Sequence, residues 1–579
     1  MTEQAEKSWE EWRSQRLEDP DLTRELEEIQ GDQEAVEDRF YRELEFGTGG
    51  LRGVIGAGTN RMNIYTVAKA TQGYADYLNA REQAPSVSIA YDSRIKSDLF
   101  ARTAAEVFAA NGIKVHIYHE LMPTPALSFA VRYLGCSGGV VVTASHNPSK
   151  YNGYKVYGSD GCQITTKAAK EILDYIGRVD IFCGVKKRNF DEARREGIIS
   201  YIGQETVDAY IQAVSSQSLS GKDEEDLRVR KEMTIVYTPL NGTGRYCVTR
   251  TLKENGFENI VVVKEQEYPD GNFPTCPYPN PEIREAMALG ISWAEKTGSD
   301  LLLATDPDCD RVGIAVKTGG RFELLSGNEV GLLLLDYICR RRIALGRMPK
   351  QPVAVKTIVT IDLAKKIAAR YGVEMREVLT GFKFIGEQIG LLEAQGQADR
   401  FILGFEESYG YLSGGYVRDK DGVDASLLIC EMAAYYRAQG MTLWDAIQQI
   451  YKEYGYCLNT LHSYTFEGAA GFEKMQAIMA EFRTGFPDEF GGRKVEAVSD
   501  YKNSVTRKKN GAEEMIELPV SNVLKFWLED GASIVIRPSG TEPKLKLYLS
   551  VSAQERGQAE ELEMRILKDV EKTWQKIDL

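Results

Sequence analysis

The stretch that decides the fold is GGVVVTASHNP, residues 138–148. Its first half is apolar and β-branched, which predicts a buried strand, and a polar turn with Ser145 at its centre follows. Open α/β sheets place their chemistry just beyond the carboxyl ends of their strands. The Ser145 hydroxyl is therefore a candidate reactive group. The alternative is a simple strand cap in which Asn147 and Pro148 form the turn.

The sequence around this strand alternates helical and strand patterns, which predicts an α/β fold with a parallel sheet. Residues 1 to about 40 carry apolar residues at helical spacing among many charges, which predicts a pair of surface helices. The elements predicted next are helices over 65–77 and 98–110 and strands over 86–91 and 114–118.

Length and pattern together predict four domains. A chain of 579 residues corresponds to roughly four domains at about 150 residues each. The first boundary is expected near 205–230, because the charged segment 221–231 precedes a new strand pattern. The predicted domains are 1–205, 206–325, 326–455 and 456–579.

Composition favours a cytoplasmic protein and does not exclude an anionic small substrate, which would need local basic groups. The formal net charge of −14 argues against nucleic acids and anionic membranes as partners. No uninterrupted apolar run reaches the roughly 18 residues of a membrane helix, and the acidic N-terminus is unlike a signal peptide. Nine scattered cysteines, without a Cys-x-x-Cys pair, suit reduced thiols better than disulfides or a zinc site.

Ser145 is predicted to carry a phosphoryl group rather than an acyl group. A serine hydroxyl is a poor nucleophile unless a base, a metal or a covalent phosphate is involved. The nucleophile elbow of hydrolases would need glycines where this chain has Thr143 and Asn147. The amides of the turn, with Lys155 nearby, would hold the charge of a phosphate.

A second motif, DPDCDR at residues 306–311, directly follows the apolar run LLLAT. Carboxylates at alternate positions of an extended backbone point to one side, and their repulsion favours a bound cation. Hard oxygen ligands favour Mg²⁺. An EF-hand is excluded, because Arg311 and Lys317 stand where its glycine and glutamate would be. A solvated acidic turn is the alternative.

Two further motifs suit a sugar phosphate. The loops GFEESYG at 404–410 and RDKDG at 418–422 offer carboxylates and a hydroxyl to vicinal sugar hydroxyls, although taken alone they are more typical of a surface turn. The segment RPSGTEPK at 537–544 lies between two predicted strands. Its hydroxyls, glycine amide and Arg537 guanidinium would form a cradle for a dianionic phosphate, with an ordinary hairpin turn as the alternative.

These four motifs, preceded by FGTGGLRG at 46–53, resemble the α-D-phosphohexomutase family in residue types and in order. The resemblance covers residues 46 to about 550. With NRMN at 60–63 it is similar to the branch that contains bacterial α-phosphoglucomutases and the animal phosphoglucomutase-2/phosphopentomutase group. Ser408 favours hexose phosphates, because the animal phosphopentomutases usually replace that serine.

The resemblance implies an α/β fold of four domains around a central cleft. Three would be related mixed-sheet domains that carry the phosphoserine, the metal and the sugar site, and the fourth a smaller C-terminal α+β domain that binds phosphate. Ser145 would be the phosphoserine and would hold Mg²⁺ together with Asp306, Asp308 and Asp310. The other catalytic residues implied are Arg52, His146, Lys155 and Lys383. The substrate-binding residues implied are Arg311, Glu406, Ser408, Arg418, Arg537, Ser539, Gly540 and Thr541.

The activity implied is interconversion of glucose 1-phosphate and glucose 6-phosphate through a phosphoserine enzyme. Glucose 1,6-bisphosphate would be the intermediate and activator, and the protein a monomer or a weak homodimer. Phosphomannomutase and phosphopentomutase activities remain open, because the residue that reads the C2 hydroxyl is not identifiable. A metal-dependent phosphatase would share Ser145 and the aspartates. A non-catalytic sugar-phosphate sensor is disfavoured, because every motif is intact.

Overall fold

The computed structural model describes residues 2–47, 49–221, 223–466, 468–539 and 544–575. Within these residues the chain forms four successive β-sheets with helices packed against them. No helix in these ranges is both long enough and apolar enough to cross a membrane.

The N-terminal segment forms three helices, so the prediction of a pair of surface helices is wrong. They are α1 (Glu3–Ser14), α2 (Pro20–Glu28) and α3 (Gln33–Phe40). Asp19 and Asp32 cap the second and third helices through their side chains and thereby divide the segment. Trp12 is only 1% exposed and packs edge-to-face on Phe40, Tyr65 and Phe182. The helices therefore belong to the core of the first sheet's unit.

The first sheet has a parallel centre and an antiparallel edge. Its strand order is β1-β5-β4-β2-β3-β6, and β5 and β1 run antiparallel to their neighbours. The parallel prediction is thus right for the centre only, and the strands predicted at 86–91 and 114–118 are confirmed. The elements are β1 (Gly50–Val54), α4 (Ile64–Asn79), β2 (Ser86–Tyr91), α5 (Ser97–Ala110), β3 (Lys114–Tyr118), α6 (Thr124–Tyr133), β4 (Gly138–Val142), β5 (Tyr151–Gly158), α7 (Thr166–Ile176), α8 (Phe190–Arg195), β6 (Ile199–Ile202) and α9 (Gln204–Ser215).

The second sheet has the order β11-β10-β9-β7-β8. Most of the charged segment 221–231 belongs to a helix, α10, whose Arg230 is buried in an ion pair with Glu431 at 3.0 Å. The elements are α10 (Glu224–Glu232), β7 (Thr234–Thr238), α11 (Gly244–Glu254), β8 (Asn259–Val262), α12 (Arg284–Thr297), β9 (Leu301–Thr305), β10 (Val312–Thr318) and β11 (Arg321–Leu325).

The third sheet has the order β13-β12-β14-β15, parallel except for the last strand. Its helices α13 and α16 are buried along most of their length, because the second and third sheets share one apolar core. The elements are α13 (Gly327–Ala344), β12 (Val353–Thr357), α14 (Leu363–Arg370), β13 (Glu374–Val378), α15 (Phe382–Ala394), β14 (Phe401–Glu406), β15 (Gly410–Leu412), α16 (Gly422–Ala438) and α17 (Leu443–Tyr454).

The last sheet is antiparallel, with the order β16-β23-β22-β21-β18-β19-β20 and β17 paired with β18. Its apolar core is shared with α18 and α19, and Val535 and Tyr548 pack on Ile358 and Val359 of the third unit. The elements are β16 (Tyr456–Thr465), α18 (Gly468–Thr484), β17 (Glu489–Phe490), β18 (Arg493–Asp500), β19 (Val505–Lys508), β20 (Glu513–Met515), β21 (Leu524–Leu528), β22 (Ser533–Pro538), β23 (Lys544–Ala553) and α19 (Arg556–Gln575).

Candidate active site

Ser145 lies in a tight turn three residues after β4 and is only 3% exposed. Its backbone has φ = +52°, a conformation that residues other than glycine rarely adopt. The hydroxyl of Thr143 accepts the Ser145 amide at 2.8 Å, which stabilises the turn. The Ser145 hydroxyl itself donates to Oδ2 of Asp306 at 2.7 Å and lies 3.2 Å from Nδ1 of His146. The serine is therefore fixed and directed at the aspartate loop.

The aspartate loop joins β9 to β10, and its three carboxylates are buried. Each can place one oxygen within 4.8 Å of the others. Cys309, between two of them, has φ = +53°, and its carbonyl oxygen accepts the Gly422 amide at 3.1 Å. A Cβ atom on Gly422 would lie 2.5 Å from that oxygen, so the contact requires glycine.

The three carboxylates fit a hard divalent cation. Among the described residues, Oδ1 of Asp308 and Oδ1 of Asp310 have no hydrogen-bond partner, although both are buried. Burial and the charges of the other two aspartates raise the pKa of Asp306 well above its usual value. A bound cation would remove this repulsion and would satisfy the free oxygens, and carboxylate oxygens are the ligands that Mg²⁺ prefers.

Two lysines neutralise part of this charge. Nζ of Lys155, on β5, lies 2.9 Å from Oδ2 of Asp308 and 3.4 Å from Oδ2 of Asp310. Nζ of Lys420 lies 2.9 Å from Oδ2 of Asp310. Burial alone would lower the pKa of Lys155, but Asp308 and Asp310 raise it above its usual value. Both ammonium groups therefore stay charged beside the carboxylates.

Arg311 ties the aspartate loop to the loop at 404–410. Its guanidinium donates to Glu282 at 2.5 Å and to the carbonyl oxygen of Ser408 at 3.1 Å. Burial, together with the charges of Arg311 and of Arg52 on β1, lowers the pKa of His146 well below its usual value. His146 is thus a neutral imidazole beside the Ser145 hydroxyl.

Glu406 ends β14 and is buried close to Lys420, Arg311 and Asp310, which together with the Ser145 turn define the candidate cleft. Burial raises the pKa of Glu406 to about 7; the charge of Lys420 opposes this shift, and Glu407 adds to it. Glu407 itself accepts hydrogen bonds from Thr357 at 3.2 Å and Thr360 at 3.1 Å. The two adjacent glutamates thus differ in their hydrogen bonds, because within the described part of the chain neighbouring threonine hydroxyls donate to Glu407 and not to Glu406.

Lys383, in the first turn of α15, is half-buried, and burial lowers its pKa below the usual value of a lysine. Arg418 faces away from the aspartates: its guanidinium donates to Glu393 at 2.7 Å and to nearby backbone carbonyls. The resemblance implied that Arg418 binds the substrate, but the structure does not bring its guanidinium to the cleft. The chain bends at Arg418 and Asp419, so Arg418 and Lys420 point to different sides although they are only two residues apart. Lys420 is the basic residue that reaches the aspartates.

Arg537 lies near the end of β22 and is partly exposed. Burial, with the charges of Glu407 and Glu406, raises the pKa of Tyr548, and the Arg537 charge opposes this shift. Tyr548, on β23, is therefore near enough to Arg537 and to both glutamates to be affected by their charges. The amide of Ser539 donates to the carbonyl oxygen of Lys544 at 2.7 Å and closes the hairpin. Gly540 and Thr541 lie outside the described residues.

Four family descriptions match consecutive parts of the chain. They are the α/β/α domains I, II and III and the C-terminal domain of phosphoglucomutase/phosphomannomutase, matched to residues 43–180, 208–320, 326–454 and 486–568. This chain belongs to the phosphoglucomutase/phosphomannomutase family. The resemblance and the fold class predicted from the sequence are confirmed.

Relatives of this family member cover most of its length. A phosphoglucomutase of Staphylococcus haemolyticus is 37% identical over 89% of this chain and 92% of its own length. A phosphoglucomutase of Staphylococcus aureus is 39% identical over 89% of this chain and 90% of its own length. Among solved structures, a putative phosphomannomutase of Thermus thermophilus has a TM-score of 0.66 at 23% identity, covering 92% of this chain and 99% of its own. The Paramecium phosphoglucomutase parafusin has a TM-score of 0.66 at 18% identity, covering 92% of this chain and 95% of its own. These two structures show the shared fold.

Sequence reasoning missed three site residues of this family member. Lys420 belongs to the RDKDG motif at 418–422, in which only Arg418 was expected to bind the substrate. Thr124 is at the start of α6, and its hydroxyl donates a hydrogen bond of 2.9 Å to Oδ2 of Asp308. Arg94 donates to the backbone of the Ser145 turn. Arg94 follows the end of β2, which pairs with β4 in the sheet, so the rule that chemistry follows strand ends would have found it.

Proposed function

We propose that this chain is a phosphoglucomutase that interconverts glucose 1-phosphate and glucose 6-phosphate through a phosphoserine at Ser145. The observation that carries the proposal is the 2.7 Å hydrogen bond from the Ser145 hydroxyl to Asp306, within a buried aspartate cluster. The relatives named phosphoglucomutase, at 37% and 39% identity over most of the chain, support the same activity.

In the proposed first step a sugar hydroxyl oxygen attacks the phosphorus of phosphoserine 145. The new oxygen–phosphorus bond forms as the bond from phosphorus to the serine oxygen breaks, which gives glucose 1,6-bisphosphate. The sugar hydroxyl loses its proton and the serine oxygen regains one. His146 and Lys383 are the candidates for these transfers, and Nδ1 of His146 lies 3.2 Å from the serine oxygen. The bisphosphate then turns and returns its other phosphoryl group to Ser145.

Asp306, Asp308 and Asp310 would hold Mg²⁺ together with the phosphate on Ser145. When bound, the ion would offset negative charge on the phosphoryl group that is transferred. Lys155 and Lys420 hold two of the carboxylates in place by direct ion pairs. Arg311 and Arg52 add positive charge near His146.

The sugar would lie between Glu406 and Ser408 on one side and the hairpin of Arg537 and Ser539 on the other. Vicinal hydroxyls and a phosphate are features that both ends of a hexose bisphosphate present, so one set of ligands serves both orientations. We assign the non-reacting phosphate to Arg537 and Ser539, with Gly540 and Thr541, which follow them in the sequence. Arg418 is not included, because its hydrogen bonds go to Glu393 and backbone carbonyls.

The proposed functional units are those expected from the sequence: phosphoserine in 1–205, metal in 206–325, sugar in 326–455 and phosphate in 456–579. A cytoplasmic location completes the proposal and rests on the sequence. The nine cysteines are free in the structure, as thiols are in a reducing compartment.

Two measurements test the proposal. Turnover of glucose 1-phosphate, mannose 1-phosphate and ribose 1-phosphate is compared side by side, and the glucose ester should be the best substrate. Faster turnover of either other ester would instead assign a phosphomannomutase or a phosphopentomutase. Intact mass with and without glucose 1,6-bisphosphate should show one phosphoryl group on Ser145. Steady release of inorganic phosphate without isomer would indicate a phosphatase.

A further inference from the structure

We propose that Arg94 is a positioning residue that builds the Ser145 turn and sets the rate of phosphoryl transfer without touching the reacting atoms. This inference rests on the proposed function of Ser145. It concerns a side chain that belongs to none of the four motifs, on the loop between β2 and α5.

One guanidinium group holds both ends of the turn. Nη1 of Arg94 donates to the carbonyl oxygens of Pro148 at 2.9 Å and Tyr151 at 3.0 Å. Nη2 donates to the carbonyl oxygen of Ser145 at 2.5 Å and to that of Asn147. All four acceptors are backbone atoms within seven consecutive residues. A planar group with several fixed donors can satisfy such a ring of carbonyls, and an ammonium group cannot satisfy it equally well.

Arg94 is itself held rigidly. It is 3% exposed, its Nε lies 3.4 Å from Oδ2 of Asp92, and its guanidinium packs 5.1 Å from the ring centre of Phe273. Oδ1 of Asp92 accepts the Arg94 amide at 2.9 Å and the hydroxyl of Ser97 at 2.8 Å. The loop from 92 to 97 is therefore a fixed support under the Ser145 turn.

The turn needs such a support. Ser145 has a positive φ, and a residue other than glycine keeps that conformation only where its surroundings impose it. The hydrogen bond from Arg94 goes to the carbonyl oxygen of Ser145, whereas the hydroxyl is left to Asp306. Phosphoryl transfer depends on alignment, and a displacement of 1 Å can cost about 100-fold in rate.

The test compares Arg94→Lys with Arg230→Lys. Arg230 is buried to a similar degree, 2% exposed, and bonds to Asp226, Glu431 and the carbonyl oxygen of Asn255. In R94K we expect kcat for glucose 1-phosphate to fall about 100-fold, with KM within about threefold of wild type. Amides of residues 143–152 should exchange hydrogen faster in R94K. R230K should keep both the wild-type kcat and the wild-type exchange in this segment.

Wild-type kcat and exchange in R94K would overturn the inference, as would equal losses of kcat in R94K and R230K. If R94K does not fold, Asp92→Asn replaces it, because that change loosens the guanidinium and leaves the arginine in place. D92N should then raise exchange at 143–152 and lower kcat, and unchanged values would again overturn the inference. If the wild type turns over no sugar phosphate, the proposed function fails, while the exchange comparison still tests the hold of Arg94 on the turn.

Discussion

The hydroxyl of Ser145 donates a 2.7 Å hydrogen bond to Asp306, 161 positions further along the chain. The two residues follow strands of different sheets, β4 and β9, whose carboxyl ends face the same cleft. The amide of Thr124, at the start of α6, also donates to the carbonyl oxygen of Asp308 at 2.9 Å. The Ser145 turn and the aspartate loop are thus joined by hydrogen bonds between two different sheets.

Replacing Ser145 by alanine should abolish turnover. The expected loss in kcat is at least about 10⁴-fold, because no other atom can carry the phosphoryl group. Stability should fall by no more than about 1 kcal/mol, the usual value of one hydrogen bond. Ser149→Ala, in the same turn, is the control and should retain activity. A coupled glucose 6-phosphate assay and urea unfolding measure both effects, and turnover by S145A would remove Ser145 from the mechanism.

Replacing Asp308 by asparagine should weaken Mg²⁺ binding and lower kcat more than it weakens sugar binding. The change removes a charged ligand and leaves Lys155 without its closest partner. Groups that only orient metal ligands cost about 10–100-fold in metal affinity, so a direct ligand should cost more. Calorimetric titration with Mg²⁺ and the separate values of kcat and KM provide the measurement. Asp336→Asn, a buried aspartate bonded to Arg340 and Tyr371, is the control. Equal losses in rate and sugar affinity would contradict a catalytic metal.

Lys525 should make stability depend on pH above about 8. It is 1% exposed on β21, and Nζ lies 3.2 Å from Oδ2 of Asp362 and donates to the carbonyl oxygen of Ile358 at 3.1 Å. Burial, with the nearby charge of Lys356, lowers the pKa of Lys525 to about 8. The unfolded lysine keeps its proton to about pH 10.4, so the unfolded state binds more protons between these values.

The contribution of Lys525 to stability therefore rises with pH from about 8 to about 10, by about 1.4 kcal/mol for each unit of pKa shift. Urea unfolding of wild type and Lys525→Met across this range measures it, because the variant lacks the titrating group. Lys508→Met, at an exposed ion pair with Glu514 in the same sheet, should follow the wild type. Parallel curves for wild type and K525M would show that Lys525 does not titrate in this range.

Replacing Trp12 by alanine should destabilise the first unit by about 3–5 kcal/mol, the usual cost of removing a large aromatic side chain from a core. Trp12 packs on three aromatic rings from α3, α4 and the segment after α7. Trp9→Ala, a half-buried residue of the same helix, should cost less. Thermal and urea unfolding compare the two variants. Equal, small losses would show that the N-terminal helices do not contribute to the core.

Sequence reasoning succeeded where one short segment contains the whole signal. The strands 86–91 and 114–118, SVSIAY and KVHIY, carry valine and isoleucine at alternate positions, and local β-propensity and burial act in the same direction. It failed for the N-terminal helices, because the breaks at Asp19 and Asp32 depend on side-chain caps inside a uniformly charged segment. It also selected Arg418 rather than Lys420, because the bend at residues 418–419 decides which of the two side chains points to the aspartates, and residue types do not reveal that bend.

The amino-acid sequence by itself determined the α/β class and the family, and it indicated Ser145 and the three aspartates as candidate site residues. These follow from residue types at fixed local spacing, which need no knowledge of distant contacts. Only the tertiary structure decided that β4 and β9 end at one cleft, that Lys420 reaches it, and that Arg94 supports the Ser145 turn. Those relationships arise from the packing of separate sheets, and packing brings together residues that no local pattern connects.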